Sequence, residues 1–225
     1  MLSADDRHHL ERVLRLRPGD EVTVSDGAGG RLRCRFGPTL EPDGDVEWVP
    51  RAAPEVTVGF AVVKGERPEW AVQKLTEIGV DRIVPLLTAR SVVRWPLGDG
   101  GQVARLRRVA REAAVQSRRV WLPVVDGVSP LAAIVGQPGV ALAHPGGRPP
   151  VLDRPTLLVG PEGGWDDAEL AGAPAVVGLG PSVLRTETAA TVAGTLLCAL
   201  RAGVVTPGPT PEGTHSGTQR DCRLN

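Results

Sequence analysis

Five polar residues crowd into two short glycine-containing stretches near the end of this chain. Glu162 lies within Gly160-Pro161-Glu162-Gly163-Gly164, and Arg185, Thr186, Glu187 and Thr188 follow Leu179-Gly180-Pro181 closely. A fixed guanidinium can stabilise negative charge as it develops, and a carboxylate can accept a proton or hold sugar hydroxyls. Glycine at 160, 163 and 180 would let main-chain N–H and C=O groups approach a ligand that a Cβ would obstruct. Tight turning alone also calls for Gly and Pro. The polar groups exceed what turning requires, and that favours a binding site.

The elements that must position these residues can be read around them. Thr156 to Val159 is a short apolar, β-rich run that breaks at the first glycine stretch. Asp166 followed by Glu169 has the spacing of a capping box, so a helix begins just after Trp165. A second apolar run, Ala175 to Leu179, ends at Gly180-Pro181, and Thr186 is a plausible N-cap for a helix carrying Ala190, Ala193, Leu196, Leu197 and Leu200. Gly203 closes that helix as a left-handed cap. Two strand-loop-helix units in tandem put two loops at the carboxyl ends of neighbouring strands, where open α/β sheets bind small ligands. Val140 to Ala143 is a further strand, running into His144-Pro145-Gly146-Gly147 as a third loop of the same kind.

Upstream, residues 7 to 17 carry Leu10, Val13 and Leu14 at helical spacing and read as a short basic helix. Glu21 to Ser25 and Arg31 to Phe36 alternate around Asp26-Gly27-Ala28-Gly29-Gly30, a hairpin signal. Period two places Arg31, Arg33 and Arg35 on one face, either a solvated sheet surface or a row of guanidinium groups along a phosphate backbone. Val46 to Val49 ends this β-rich module, and Pro54 is a boundary. Val56 to Val63, a helix from Pro68 to Ile78 and a strand from Arg82 to Leu87 form a βαβ unit, which implies a parallel sheet. Pro85 is awkward inside that strand. Val103 to Ala114 forms a long amphipathic helix whose other faces, with the residues just beyond, carry Arg105, Arg107, Arg108, Arg111, Arg118 and Arg119 against the single Glu112. A solvated face and a polyanion surface stand evenly on charge alone. Val120 to Val125 is the next strand and Pro130 to Val135 a short helix.

With 225 residues and 41% hydrophobic content the chain can bury a proper core, as one large or two modest domains. Its net charge is zero, so an RNA-binding surface must be local. Only Lys64 and Lys74 are lysines among 26 basic residues, a bias that genome composition explains as well as phosphate recognition does. No apolar run of about eighteen residues occurs, and the charged start is unlike a signal peptide, which reads as a cytoplasmic protein without membrane contact. Cys34, Cys198 and Cys222 are widely spaced, and neither a disulfide framework nor a metal site is spelled out. From Thr206 onward Pro, Gly, Thr and polar residues predict a disordered tail over 206–225.

Taken in order, HHLERVLRLRPGDEVTVSDGAGG, KGERPEWAVQKLTEIGVDRIVPLLTARSVV, REAAVQSRR, LLVGPEGGW and LGPSVLRTETAA resemble the 16S ribosomal RNA uracil-N3-methyltransferase family, a branch of the SPOUT methyltransferases. GPEGG alone is moderately specific; LG-x-x-x-LRTETA after it is highly so. The resemblance implies an α/β fold: a small PUA-like β-rich RNA-binding domain over 1–53, and a SPOUT α/β domain over 54–205 with a mainly parallel sheet and a trefoil knot. It implies S-adenosylmethionine held by three loops, Leu142 to Gly147, Gly160 to Gly164 and Leu179 to Thr188. Cofactor contacts then fall on Leu142, His144, Leu158, Gly160, Glu162, Gly163, Leu179, Gly180, Leu184, Thr186 and Thr188. A homodimer acting on 16S ribosomal RNA in the small subunit is implied, with Arg12, Arg15, Arg31, Arg33, Arg35, Arg108 and Arg111 on RNA phosphates. For methyl transfer to uracil N3, Arg185 is the first choice for stabilising the charge left by the N3 proton, with Glu162 and Glu187 as proton acceptors or ribose ligands. Two other readings remain: a non-catalytic RNA-binding ribosome assembly factor, and a nucleotide hydrolase, for which no G-x-x-x-x-G-K-[ST] is present.

Overall fold

The computed structural model describes residues 7–13 and 15–206. Leu14, Cys222 and residues 207–225 of the tail expected over 206–225 lie outside the described residues. Near the start, one wide helical turn, His9–Val13, stands where a helix over 7–17 was expected. It ends before Arg15, whose φ of 56° is left-handed and cannot continue a right-handed helix.

The first sheet is antiparallel. Strands β1 (Glu21–Ser25) and β2 (Gly30–Arg35) pair in the expected hairpin register, Glu21 opposite Arg35 and Ser25 opposite Arg31. Short strands β3 (Glu41–Pro42) and β4 (Glu47–Trp48) pair with the two ends of β2. Within β2, exposure alternates as the period-two reading requires: Arg31, Arg33 and Arg35 are exposed, while Cys34 is buried.

The second sheet is parallel throughout and builds the main core. Strand β5 (Thr57–Ala61) pairs with β6 (Arg82–Leu87), and helix α1 (Arg67–Ile78) crosses between them, as the βαβ pattern predicts. Every residue of β5 is buried, the signature of a strand covered on both faces. Pro85 finds an accommodating place: on its far side β6 pairs with β7 (Val124–Val125) through Arg82 and Ile83, and with β8 (Ser129–Pro130) through Leu86 and Leu87. The missing N–H therefore falls in the interval between two short partners. That switch also shortens the strand expected over Val120 to Val125 to its last two residues.

Helix α2 (Gly101–Gln116) buries Val103, Leu106, Ala110, Ala113 and Ala114, the face the sequence pattern assigned. Strands β9 (Val140–Arg148), β10 (Thr156–Val159) and β11 (Val176–Val177) complete the order β11-β9-β10-β5-β6-β7. His144 to Gly147, expected as a loop, falls within the span of β9 but bulges out of its ladder: the consecutive residues Val176 and Val177 face Leu142 and Arg148, and Gly146 has a φ of 78°. Gly147 permits this: a Cβ there would run into the main chain of Val177 and Gly178. Helix α3 (Asp167–Ala171) carries the predicted capping box, with Asp166 accepting from Ala168 N–H and Glu169 accepting from Asp166 N–H at 2.8 Å. Helix α4 (Thr186–Arg201) is closed by Gly203 at a φ of 68°.

The two sheets meet through Trp121. Its Nε1 donates to Val49 O at 3.0 Å, and the Arg51 guanidinium lies 5.3 Å from the ring centroid. Alongside, Leu122 N donates to Gly27 O at 2.9 Å, so the hairpin turn is hydrogen-bonded to the segment that leads into β7.

Candidate active site

Strand ends β9, β10 and β11 open into one cavity of about 490 Å3, a size suited to a small-molecule ligand. Val159, Leu170, Leu179 and Leu184 give it apolar walls; His144, Glu162 and Ser182 are among its polar lining. Trp165 forms part of the lining and is buried, its Nε1 donating to Ala143 O at 2.8 Å. That bond ties the loop after β10 to strand β9. Gly160 lies against the indole, where an added Cβ would come within 3.1 Å of the ring. Gly180 has a φ of 138°, a conformation that L side chains rarely adopt.

Thr186 has a role other than the expected N-cap. Arg185 occupies the N-cap position, and Thr186 is the first helical residue, 2% exposed. Its hydroxyl donates to Gly160 O at 3.0 Å, linking the loop after β10 to the start of α4. A hydroxyl used across the site is unavailable to its own helix terminus.

The charged groups are arranged around Arg67, at the first residue of α1. Its Nη1 is 2.7 Å from Glu162 Oε1 and its Nε 3.8 Å from Glu187 Oε1. Glu187 is only 14% exposed in its side chain, and its Oε2 is buried without a hydrogen-bond partner. With both carboxylates engaged by Arg67, the exposed Arg185 guanidinium has no hydrogen bond or ion pair among the described residues. Arg90 also reaches the cavity, donating from Nη1 to Gly163 O at 3.0 Å and lying 3.9 Å from Asp166. Its segment is held by Glu169, whose Oε1 accepts from Ala89 N–H at 2.7 Å.

Of the residues expected to touch a cofactor, His144, Gly160, Glu162, Gly163, Leu179, Gly180, Leu184 and Thr186 line this cavity. Leu142 and Leu158 are fully buried in the core that supports it. Thr188 and Glu187 instead line a smaller neighbouring depression with Glu66, Arg67 and Trp70. Arg67 and Arg90 were missed by residue reading. Both sat in quoted motif stretches, KGERPEW and TARSVV, but their partners are 95 and 73 positions away.

The arginines expected to meet RNA are less bare than their spacing suggests. Arg31 donates to both oxygens of Glu47, at 2.9 and 2.6 Å, which holds that carboxyl below its ordinary value and raises the arginine. Arg35 pairs with Asp43 at 3.1 Å, and Arg33 between them remains exposed. On α2, Arg105 lies 3.0 Å from Glu69, Arg107 2.8 Å from Asp99, and Arg108 3.9 Å from Glu112. Arg119 turns inward to the carbonyls of Thr76 and Val80. Six arginines against one glutamate was thus an incomplete count, since most of the acidic partners come from other segments. Arg12 and Arg15 are exposed; Arg111 has an interaction partner. Among the described residues no cluster of three or more His, Cys, Asp or Glu side chains could hold a metal, and no helix is long and apolar enough to cross a membrane.

Comparison with known proteins adds to this geometry. Residues 51–198 match the family described as RNA methyltransferase domain, and residues 2–37 match RNA methyltransferase PUA domain. The chain is 37% identical over 226 aligned positions to the ribosomal RNA small subunit methyltransferase E of Mycobacterium tuberculosis, covering 86% of this chain and 83% of that one. It is 33% identical to the protein of the same name from Synechocystis, covering 85% and 70%. Among solved structures, a probable rRNA-methyltransferase from Porphyromonas gingivalis superposes with a TM-score of 0.78 at 29% identity, covering 91% of this chain and 94% of that one. A ribosomal RNA small subunit methyltransferase E from Neisseria gonorrhoeae, bound to S-adenosyl methionine, gives 0.69 at 27% identity, covering 87% and 90%.

Proposed function

Because this chain belongs to the RNA methyltransferase family, we propose that the cavity between β9, β10 and β11 holds S-adenosylmethionine and that the target base is presented beside Arg185. The protein is an S-adenosylmethionine-dependent methyltransferase of small-subunit ribosomal RNA. Its cavity fits that cofactor: apolar walls at Val159, Leu179 and Leu184 suit an adenine ring, and Gly160 and Gly180 keep side chains off the main chain that would meet it. When bound, the cofactor supplies an electrophilic methyl carbon on a sulfonium.

Within this proposal the base is uracil and the accepting atom N3. Loss of the N3 proton leaves negative charge on the flanking carbonyl oxygens, and the Arg185 guanidinium has no carboxylate partner among the described residues. Glu162 and Glu187 accept the proton or hold ribose hydroxyls while Arg67 keeps both carboxylates in place. Holding the reacting groups aligned supplies roughly 7 to 11 kcal/mol in favourable intramolecular cases. The proposal extends to a knotted homodimer, to a PUA-like domain over 1–53 and a catalytic domain over 54–205, and to a cytoplasmic location.

One observation supports this reading: the ends of β9, β10 and β11 converge on one cavity with apolar walls, lined by Leu184 and Thr186 on either side of the exposed Arg185, which is not itself among the lining residues. The test is incubation with small ribosomal subunits and labelled S-adenosylmethionine, followed by mass spectrometry of the RNA. A single N3-methylated uridine is the expected product. Saturable cofactor binding with no methyl transfer to any subunit preparation would point instead to an assembly factor, and ATP binding alone to a hydrolase.

A further inference from the structure

We propose that Arg67 is a positioning residue that clamps the two ligand loops to helix α1 and so sets the affinity of the cavity. The inference rests on the methyltransferase reading for its ligand, but its geometry is independent of it. Glu162 stands in the loop after β10, and Glu187 at the first turn of α4. Neither segment is adjacent in sequence to α1, yet one guanidinium reaches both carboxylates, at 2.7 and 3.8 Å.

Arg67 is well placed to act as a fixed post. It is the first residue of α1, followed by Pro68, whose ring fixes the main chain where an N–H has no helical partner to lose. The helix behind it is anchored by Ala71, Val72 and Leu75, all fully buried. The loop it holds has little else of that kind. Gly160, Gly163 and Gly164 offer no side chains, and the other ties named for the loop, Thr186 Oγ1 on Gly160 O, Arg90 Nη1 on Gly163 O and the buried Trp165 indole on Ala143 O, are hydrogen bonds to carbonyls rather than ion pairs. Removing Arg67 also takes from both Glu162 and Glu187 the cation that neutralises them.

Because Arg67 and Glu162 are both more than two-fifths exposed, their pair contributes little to global stability. The clamp therefore acts on loop position rather than on folding, and the two effects separate experimentally. In Arg67→Ala the melting temperature stays close to wild type. Amide hydrogen exchange over residues 160–166 speeds up about fivefold without any ligand, the ratio that the loss of an exposed ion pair allows. Calorimetric affinity for S-adenosylmethionine falls by about the same factor. Arg67→Lys, which can reach one acid at a time, recovers part of both effects. In the double variant Arg67→Ala/Glu162→Gln the losses are not additive, since each substitution opens the same contact. Unchanged exchange over 160–166 in Arg67→Ala, or additive losses in the double variant, would overturn the clamp. If wild type failed to bind the cofactor, the methyltransferase reading would fall, while the exchange measurement would still decide the clamp.

Discussion

In the proposed site, Arg185 and Arg67 divide the work of positive charge. Arg67 is committed to two carboxylates, and Arg185 is left exposed and unengaged among the described residues. Arg185→Ala should therefore bind S-adenosylmethionine within about threefold of wild type but lose about a hundredfold or more in kcat, the scale of removing one charge-stabilising donor. Wild-type turnover in that variant, measured on small subunits, removes Arg185 from the chemistry. The cysteines behave oppositely. Burial pushes the thiols of Cys34 and Cys198 above their ordinary values, with Asp43 adding to the effect at Cys34, so both stay protonated and shielded near neutral pH. In a Cys222→Ser background, a thiol reagent at pH 7.5 should label neither residue until the protein is unfolded; rapid labelling of native protein contradicts this.

The elements around the site were readable wherever a pattern ran for a full strand or helix. Thr57–Ala61, Thr156–Val159, α1, α2 and α4 follow apolar periodicity, and the capping box at Asp166 and Glu169 announced α3. The two-residue strand β3 carries no period to detect, and β7 and β11 fall inside the expected runs Val120 to Val125 and Ala175 to Leu179 but are cut short by tertiary pairing. His144 to Gly147 looked like a loop from its composition and is an irregular bulge within β9, its two ends held by Val176 and Val177. Likewise Arg67 and Arg90 could not be given partners from spacing, since the carboxylates and carbonyls they meet are brought near by the sheet order. Gly147→Ala tests that close packing: a Cβ has no room against Val177 and Gly178, so stability should drop by roughly 1 to 3 kcal/mol in denaturant unfolding. In the first sheet, Arg31 depresses the Glu47 carboxyl. A depressed carboxyl stabilises the fold above its unfolded value, and the contribution is lost as pH falls through the lower folded value. An NMR titration should show Glu47 moving back toward the ordinary carboxylate range in Arg31→Ala; no movement would mean the pair is not maintained in solution.

At the level of the whole molecule, the two sheets are joined through Trp121, and several of the arginines that the sequence left evenly balanced between a solvated face and a polyanion surface are paired with carboxylates. Trp121→Ala should loosen the first sheet, seen as faster exchange over residues 21–48, and weaken methylation of subunits while leaving cofactor affinity intact. Equal loss of both would show that the joint also shapes the cavity. The account stands or falls on where the methyl donor sits. A crystal structure of the protein grown with saturating S-adenosylmethionine is predicted to show it enclosed by the main chain at Gly160 and Gly180, with adenine against Leu179 and Leu184. Density for the donor in any other place, with that cavity filled only by solvent, would contradict it.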